Sequence, residues 1–272
     1  TLYVDSLSIS DLTGIEGFTA LTTLDCGSNA LTALDVSANT ALTVLKCYTN
    51  QLTALDVSAN TALIYLDATN NQLASVNVSG SSALATLYLG GNQLESLDLS
   101  TNVALTSLNL WGNNISSLDL STNTALSFLN IQDNNITSMD MRYNTELVTL
   151  YCHNNALTSL NVSNNTALYR LWCYGNQLTE LSVTNNTGLS ILYCYTNQLT
   201  ALNVSNNTAL TKLWCYDNQL TGLDVSNNTG LTDLRVQNNS ITALDVSANT
   251  ALTILACRDN QLTSLELSEN TA

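Results

Sequence analysis

Apolar residues recur along the chain at a spacing that neither one helix nor one strand explains. From Leu21 onward the pattern LTxLxCxxNQLTxLDVSxNTA repeats every 21 residues, and twelve copies fill the chain to Ala272 without an insertion. We number the positions of each copy from 1 to 21, and positions 1, 4, 6, 11, 14 and 16 are apolar. Such a period is the signature of a solenoid, in which each coil buries its apolar side chains against its neighbours.

Apolar and polar residues alternate within both halves of the repeat, which is typical of a short strand with one buried face. The sequence therefore predicts strands at positions 3 to 5 and 13 to 15 of most coils, stacked into two narrow parallel β-sheets with little or no helix. Residues 1–20 precede the repeats, and we expect them to form a lead-in segment that covers the first coil of a solenoid over residues 21–272.

The half-repeats LxxLxCxxN and LxxLxVxxN resemble the leucine-rich repeat, whose signature is LxxLxLxxN, over residues 21–272. The 21-residue length and the nested halves are similar to the bacterial class called IRREKO. The resemblance implies a right-handed leucine-rich-repeat solenoid from a secreted or surface-displayed bacterial protein, in a family that most often binds proteins. One feature departs from the family, because LxxLDVS alternates where the usual return side is helical.

Three positions of the repeat, two with Asn and one with Cys, are predicted to form structural ladders along the solenoid. Asn fills position 9 in all twelve coils and position 19 in eleven, where an amide can satisfy the backbone groups of a turn. All seven cysteines occupy position 6, which holds Ala, Leu, Ile or Val in the other coils, so we expect buried, reduced thiols. Collinear thiols and a single histidine, His153, do not match a zinc site, and the sequence predicts no metal and no cofactor.

Positions 3, 5 and 7 point away from the core if position 6 points into it. These 36 residues carry 12 of the 16 aromatics and five of the six cations, whereas positions 13 and 15 carry no aromatic. A contiguous aromatic patch normally marks an interaction site. The predicted ligand-binding residues are Trp111, Tyr151, His153, Arg170, Trp172, Tyr174, Tyr193, Tyr195, Lys212, Trp214 and Tyr216.

The other face is acidic, because position 15 is Asp or Glu in eight coils. Its carboxylates do not supply the six to eight converging oxygens of a calcium site, so we interpret it as a solvated face. The formal net charge of -15 argues against nucleic acid and anionic membranes as partners. No run reaches the roughly 18 apolar residues of a membrane span, so membrane insertion is not expected.

The chain has no nucleophile elbow, phosphate loop or metal cluster, so we expect no enzymatic activity. Two hypotheses remain for the aromatic and basic face. It binds a protein partner in recognition or cell adhesion, since Trp, Tyr and Arg dominate protein hot spots. Alternatively, it binds an extended polysaccharide whose sugar rings stack on aromatic faces. The last repeat ends at Ala272 without a polar cap, which also suggests end-to-end self-association.

Overall fold

A computed structural model describes residues 1–271 and shows a β-solenoid of twelve coils with almost no helix, as the repeat predicts. Its residues fall into two compact units, Thr1–Ile136 and the residues from Thr137 onward. Within the described residues, the helical structure is a single 3₁₀ turn, Ile15–Gly17.

The first unit contains a main parallel sheet in the order β1-β2-β3-β5-β7-β8-β9 and a second sheet of β4 and β6. In the main sheet, β1 precedes the first repeat and pairs with β2, so Leu2 lies opposite Leu24. The strands are β1 (Leu2–Tyr3), β2 (Thr23–Asp25), β3 (Val44–Lys46), β4 (Ala54–Asp56), β5 (Tyr65–Asp67), β6 (Ser75–Asn77), β7 (Thr86–Tyr88), β8 (Ser107–Asn109) and β9 (Phe128–Asn130).

The second unit contains a parallel sheet whose six strands pair in chain order. Each residue lies opposite the residue 21 positions later, so Tyr151 faces Trp172 and Trp172 faces Tyr193. Equivalent positions of successive coils therefore form straight rows across the sheet. The strands are β10 (Thr149–Tyr151), β11 (Arg170–Trp172), β12 (Ile191–Tyr193), β13 (Lys212–Trp214), β14 (Asp233–Arg235) and β15 (Ile254–Ala256).

The core confirms the predicted register of the repeat. Cys173 is fully buried, as are the position-6 residues of every coil except the last, where Cys257 is half-buried. All seven cysteines are free. Burial raises the pKa of Cys173 and Cys215 to about 12 and places that of Cys152 and Cys194 well above the ordinary thiol value. The thiols are thus protonated and fill the core as small apolar groups.

The asparagines of position 9 form the predicted structural ladder. Asn176, for example, accepts a hydrogen bond from the Leu157 N–H at 3.0 Å through Oδ1. Its Nδ2 donates to the carbonyls of Cys152, Cys173 and Tyr174 at 3.1, 3.0 and 3.2 Å. One amide therefore satisfies backbone groups of two successive coils, which explains why the residue recurs in every coil.

The second face is less regular than the alternation predicts. Among the described residues, only β4 and β6 form a sheet there, and Asn161 and Ser182 form an isolated bridge. Both pairings include a neutral residue at position 15, and the Asn77 amide donates to Asp56 Oδ2 at 3.1 Å. Where two neighbouring coils both carry a carboxylate at position 15, their strands do not pair within the described residues. Like charges directly opposite each other destabilise a sheet, which accounts for the interruptions between neighbouring carboxylates. The neutral neighbours Ser182 and Asn203 also do not pair with each other among the described residues, so repulsion is not the whole cause.

Candidate functional site

The aromatic face of the second unit is built by the strands β10 to β13 and the residues that follow them. Because the sheet is in register, the side chains of one position project in a row across it. Two rows consist of rings. We call Tyr151, Trp172, Tyr193 and Trp214 the position-5 stack, and His153, Tyr174, Tyr195 and Tyr216 the position-7 stack.

The rings of the position-5 stack lie face to face. The centroids of Tyr151 and Trp172 are 4.3 Å apart, those of Trp172 and Tyr193 5.2 Å, and those of Tyr193 and Trp214 4.0 Å. The guanidinium carbon of Arg235 lies 4.1 Å from the centroid of Trp214 and covers the end of the stack. Stacked pairs and a cation over an indole are both stabilising arrangements.

The position-7 stack is more regular. The centroids of His153 and Tyr174 are 4.1 Å apart, and those of Tyr174, Tyr195 and Tyr216 follow at 4.2 Å with interplanar angles of 9° to 10°. Burial is the first cause that raises the pKa of Tyr195 and of Tyr216 above the ordinary phenol value. Tyr195 and Tyr216 therefore stay protonated at neutral pH, with hydroxyls that can donate and accept hydrogen bonds.

The stacks are more buried than alternation alone predicts. Trp172, Tyr174, Tyr195, Trp214 and Tyr216 are half-buried, as is Tyr151. Tyr193 is only 9% exposed and His153 only 3% exposed. The prediction that His153 lies on the solvent-facing surface is wrong, because neighbouring rings cover it. The rings cover each other along the row, so solvent reaches mainly their edges.

The two predicted cations lie beside the position-5 stack. Arg170 and Lys212 are exposed at position 3, two coils apart, with the half-buried Ile191 between them in the row. The guanidinium carbon of Arg170 lies 5.3 Å from the ring centroid of the exposed Tyr169. The structure thus brings all the predicted site residues of the second unit onto one face.

Trp111 belongs to the first unit, where it covers a glycine. A Cβ on Gly90 would lie 2.1 Å from the Trp111 Nε1, so the indole requires a glycine at that position. Tyr48 covers Gly27 in the same way, because a Cβ there would lie 2.4 Å from the nearest ring atom. A ring at position 7 therefore leans over the preceding coil in both units, onto glycine in one and onto another ring in the other.

Arg235 and Asp233 extend the site beyond the predicted residues. Arg235 Nε donates to Asp233 Oδ1 at 3.0 Å while its guanidinium covers Trp214. Asp233 is 5% exposed, so the ion pair is fixed at the end of the stack. The sequence contained the signal, because Arg235 is the position-5 residue of the coil that follows Trp214.

Comparison with solved structures identifies the architecture. No family model and no curated protein matches the chain. The functional domain of InlJ from Listeria monocytogenes superimposes with a TM-score of 0.87 at 39% identity, covering 97% of this chain and 64% of that domain. A leucine-rich-repeat protein of Leptospira interrogans superimposes with a TM-score of 0.80 at 21% identity, covering 99% of this chain and 87% of that protein. The chain is a bacterial leucine-rich-repeat protein.

A plant protein has the same fold. The leucine-rich-repeat ectodomain of the receptor kinase GASSHO1/SCHENGEN3 from Arabidopsis thaliana has a TM-score of 0.80 at 20% identity, covering 93% of this chain and 34% of that one. The InlJ domain includes a cysteine ladder. In this bacterial leucine-rich-repeat protein, Cys152, Cys173, Cys194 and Cys215 occupy position 6 of four successive coils. The chain spans 64% of the InlJ domain, so the comparison identifies the architecture and leaves the ligand to be inferred from this face.

Three further observations concern the rest of the described chain. Among residues 1–271, no group of three or more His, Cys, Asp or Glu side chains is arranged to hold a metal ion. No helix of the described chain combines the length and the apolar character that crossing a membrane requires. A cavity of about 630 Å³ lies on the second face of the second unit and is lined by residues such as Asn161, Glu180, Leu181 and Ser182.

Proposed function

We propose that the protein is a non-catalytic recognition module that binds a protein partner through its second unit. The binding surface is formed by the position-5 stack and the position-7 stack, which together we call the aromatic double stack. The observation that supports this most strongly is the concentration of Trp, Tyr and Arg side chains in one in-register patch. These three residue types carry most of the binding energy in protein interfaces. Their fixed stacking means that little side-chain entropy is lost when a partner binds.

The GASSHO1/SCHENGEN3 ectodomain was solved in complex with CASPARIAN STRIP INTEGRITY FACTOR 2, so this fold presents a surface for a partner in at least one relative. We also propose that this protein is secreted or displayed on the bacterial surface and that it acts in recognition or adhesion outside the cell. The absence of a catalytic constellation in the sequence agrees with a binding role.

A polysaccharide is the weaker candidate, because sugar rings bind aromatic side chains through the ring faces. In the position-5 stack, both faces of Trp172 and of Tyr193 are covered by neighbouring rings, and Trp214 lies between Tyr193 and Arg235. In the position-7 stack, Tyr174 and Tyr195 are covered in the same way. The flat, open strip that a glycan would need is therefore missing from this face.

Parallel protein and glycan arrays test the proposal. We expect hits among extracellular proteins that are lost in the double variant Trp172→Ala/Trp214→Ala, because truncating a hot-spot aromatic costs about 2 kcal/mol or more. The control Asp224→Ala/Asp245→Ala alters the second face of the same unit and should keep the hits. Circular dichroism establishes that each variant is folded. Binding confined to glycans, or lost only in the Asp variant, would contradict the proposal.

A further inference from the structure

Only two of the six cations lack an acidic partner among the described residues. Lys46 pairs with Asp25, Arg142 with Asp140, Arg235 with Asp233 and Arg258 with Asp259. Arg170 and Lys212 form no salt bridge within residues 1–271, although the chain carries 21 carboxylates. The two unpaired positive charges are therefore available to a ligand.

These two cations flank one stretch of the position-5 stack. Arg170 precedes Trp172 by two residues on β11, and Lys212 precedes Trp214 by two residues on β13. Alternation places each cation on the same face as the indole that follows it. With one coil between them, their Cα atoms are about 9.6 Å apart, twice the spacing of neighbouring strands. Ile191 supplies an apolar surface between the two charges.

The ring edges add to the positive character of this surface. An aromatic ring is negative on its faces and positive at its edge. Stacking covers the faces of the interior rings, so the edges are what a ligand meets. The Nε1 atoms of Trp172 and Trp214 are buried without a hydrogen-bond partner, so the accessible indole edges are C–H groups.

The local charge is opposite to that of the whole chain. Positions 3, 5 and 7 between residues 170 and 237 hold three cations and one carboxylate, Asp233, which is paired with Arg235. Asp217 lies next to the position-7 stack and accepts a hydrogen bond from Asn238. A net charge of -15 still repels long polyanions. A ligand with few carboxylates is attracted by the local positive charge and is not strongly repelled by the net negative charge of the chain.

We propose, building on the proposed function, that the aromatic double stack selects an extended acidic peptide segment of its partner. Two carboxylates of that segment bind Arg170 and Lys212, and the apolar side chains between them pack on Ile191 and the ring edges. In the polyproline II conformation, which is extended and has three residues per turn, carboxylates three residues apart lie on the same side at about 9.3 Å, which matches the two-coil spacing. Nucleic acids and glycans fit less well, because both bind aromatic side chains through exposed ring faces.

Titration of the intact protein with short synthetic peptides tests the proposal, read out by tryptophan fluorescence and calorimetry. The probe is a proline-rich peptide with two glutamates three residues apart, and its control carries glutamine at both places. We expect the acidic peptide to bind at least about tenfold more tightly, since charge-assisted hydrogen bonds are roughly twice as strong as neutral ones. An oligogalacturonate of similar length supplies the same carboxylates on a glycan.

A pair of matched variants locates the effect. Arg170→Gln/Lys212→Gln should remove the preference for glutamate, whereas Arg142→Gln/Arg258→Gln removes the same number of charges elsewhere in the unit and should preserve it. Neither pair touches the core, so both variants should fold. Equal affinity for the two peptides, loss in both variants, or binding of the oligogalacturonate alone would overturn the proposal. If glutamate and glutamine peptides bind equally and Trp172→Ala/Trp214→Ala abolishes both, the acidic preference fails while the proposed function stands.

Discussion

At the scale of single residues, side chains that are neighbours in sequence lie in different environments. Cys173 is fully buried, whereas Trp172 and Tyr174 on either side of it lie half-buried on the aromatic face. The thiol is kept protonated by burial and the rings are kept in place by stacking. A strand with one buried face explains both, because alternate side chains point to opposite sides.

The first prediction concerns thiol reactivity. We expect an alkylating reagent added to the folded protein to modify Cys257 first, because that thiol is half-buried while the other six are buried. The six should react only as fast as the coils open, since the thiolate is the reactive species and burial suppresses it. Mass spectrometry after denaturation without reductant should find seven modified cysteines. A pair of cysteines that resists alkylation there would reveal a disulfide.

Alkaline pH should destabilise the fold through the same thiols. Well below about pH 8.5, the ordinary thiol pKa, they are protonated in both the folded and the unfolded chain, so they do not affect the folding equilibrium. Above it the unfolded chain ionises while Cys173 and Cys215, with a pKa of about 12, stay protonated in the folded state. Unfolding then releases protons, and the free energy of unfolding falls as the pH rises toward 12. Urea titrations across this range should show a shallower decline in Cys173→Val/Cys215→Val.

At the scale of elements, the position-9 asparagines hold successive coils together. Replacing Asn176 by Ala leaves the buried Leu157 N–H without its partner, whereas the carbonyls that Nδ2 contacted keep other donors. We expect a loss of about 1–3 kcal/mol in the free energy of unfolding, because that is the cost of one unsatisfied buried polar group. Asn185→Ala removes one exposed hydrogen bond, to the Ser163 carbonyl, and should cost under about 0.5 kcal/mol. Equal losses in the two variants would show that the position-9 ladder is not special.

The aromatic stack should contribute to stability as well as to binding. Tyr193 lies between Trp172 and Trp214, and its removal breaks two stacked contacts. We expect Tyr193→Ala to lower the free energy of unfolding by at least about 1–3 kcal/mol, from about 0.5–1.5 kcal/mol for each stacked pair in addition to the loss of buried ring area. Tryptophan emission should shift to longer wavelength as water reaches the indoles. Tyr169→Ala, whose ring is 44% exposed, is the control and should leave both signals nearly unchanged.

The elements also show how far the sequence alone leads. The register, the buried thiols, the asparagine ladder and the row of Trp172, Tyr193 and Trp214 follow from period-two alternation at a fixed repeat, and the structure agrees. The burial of His153 does not follow, because it depends on how far neighbouring rings lean over it. The short second sheet was also not predicted, because alternation indicates which face is apolar but not whether the backbones of successive coils come close enough to pair, which repulsion between carboxylates such as Asp224 and Asp245 opposes.

At the scale of the whole molecule, charge is distributed unevenly. The first unit holds one cation and eleven carboxylates, and the second holds five cations and ten carboxylates. Local hydrogen bonds offset part of the repulsion, as where the Ser226 side chain and backbone lower the pKa of Asp224. The repulsion between more distant carboxylates is not offset in this way. A net charge far from zero destabilises a compact state through self-repulsion.

Salt should therefore have opposite effects on stability and on binding. At about 0.01 M salt the screening length is about 30 Å, so carboxylates many coils apart repel each other, whereas at about 0.15 M it is about 8 Å and the repulsion is largely screened. We expect the midpoint of thermal unfolding to rise by on the order of a few degrees over this range.

Over the same range the glutamate peptide should bind more weakly, because the same ions screen its attraction to Arg170 and Lys212. Differential scanning calorimetry and peptide titrations in matched sodium chloride solutions measure the two effects. The glutamine peptide is the control, since its affinity should not change with salt. A melting midpoint that falls with salt would show that attraction between charges, and not repulsion, dominates the folded chain, and peptide affinity that rises with salt would exclude Arg170 and Lys212 as the carboxylate contacts.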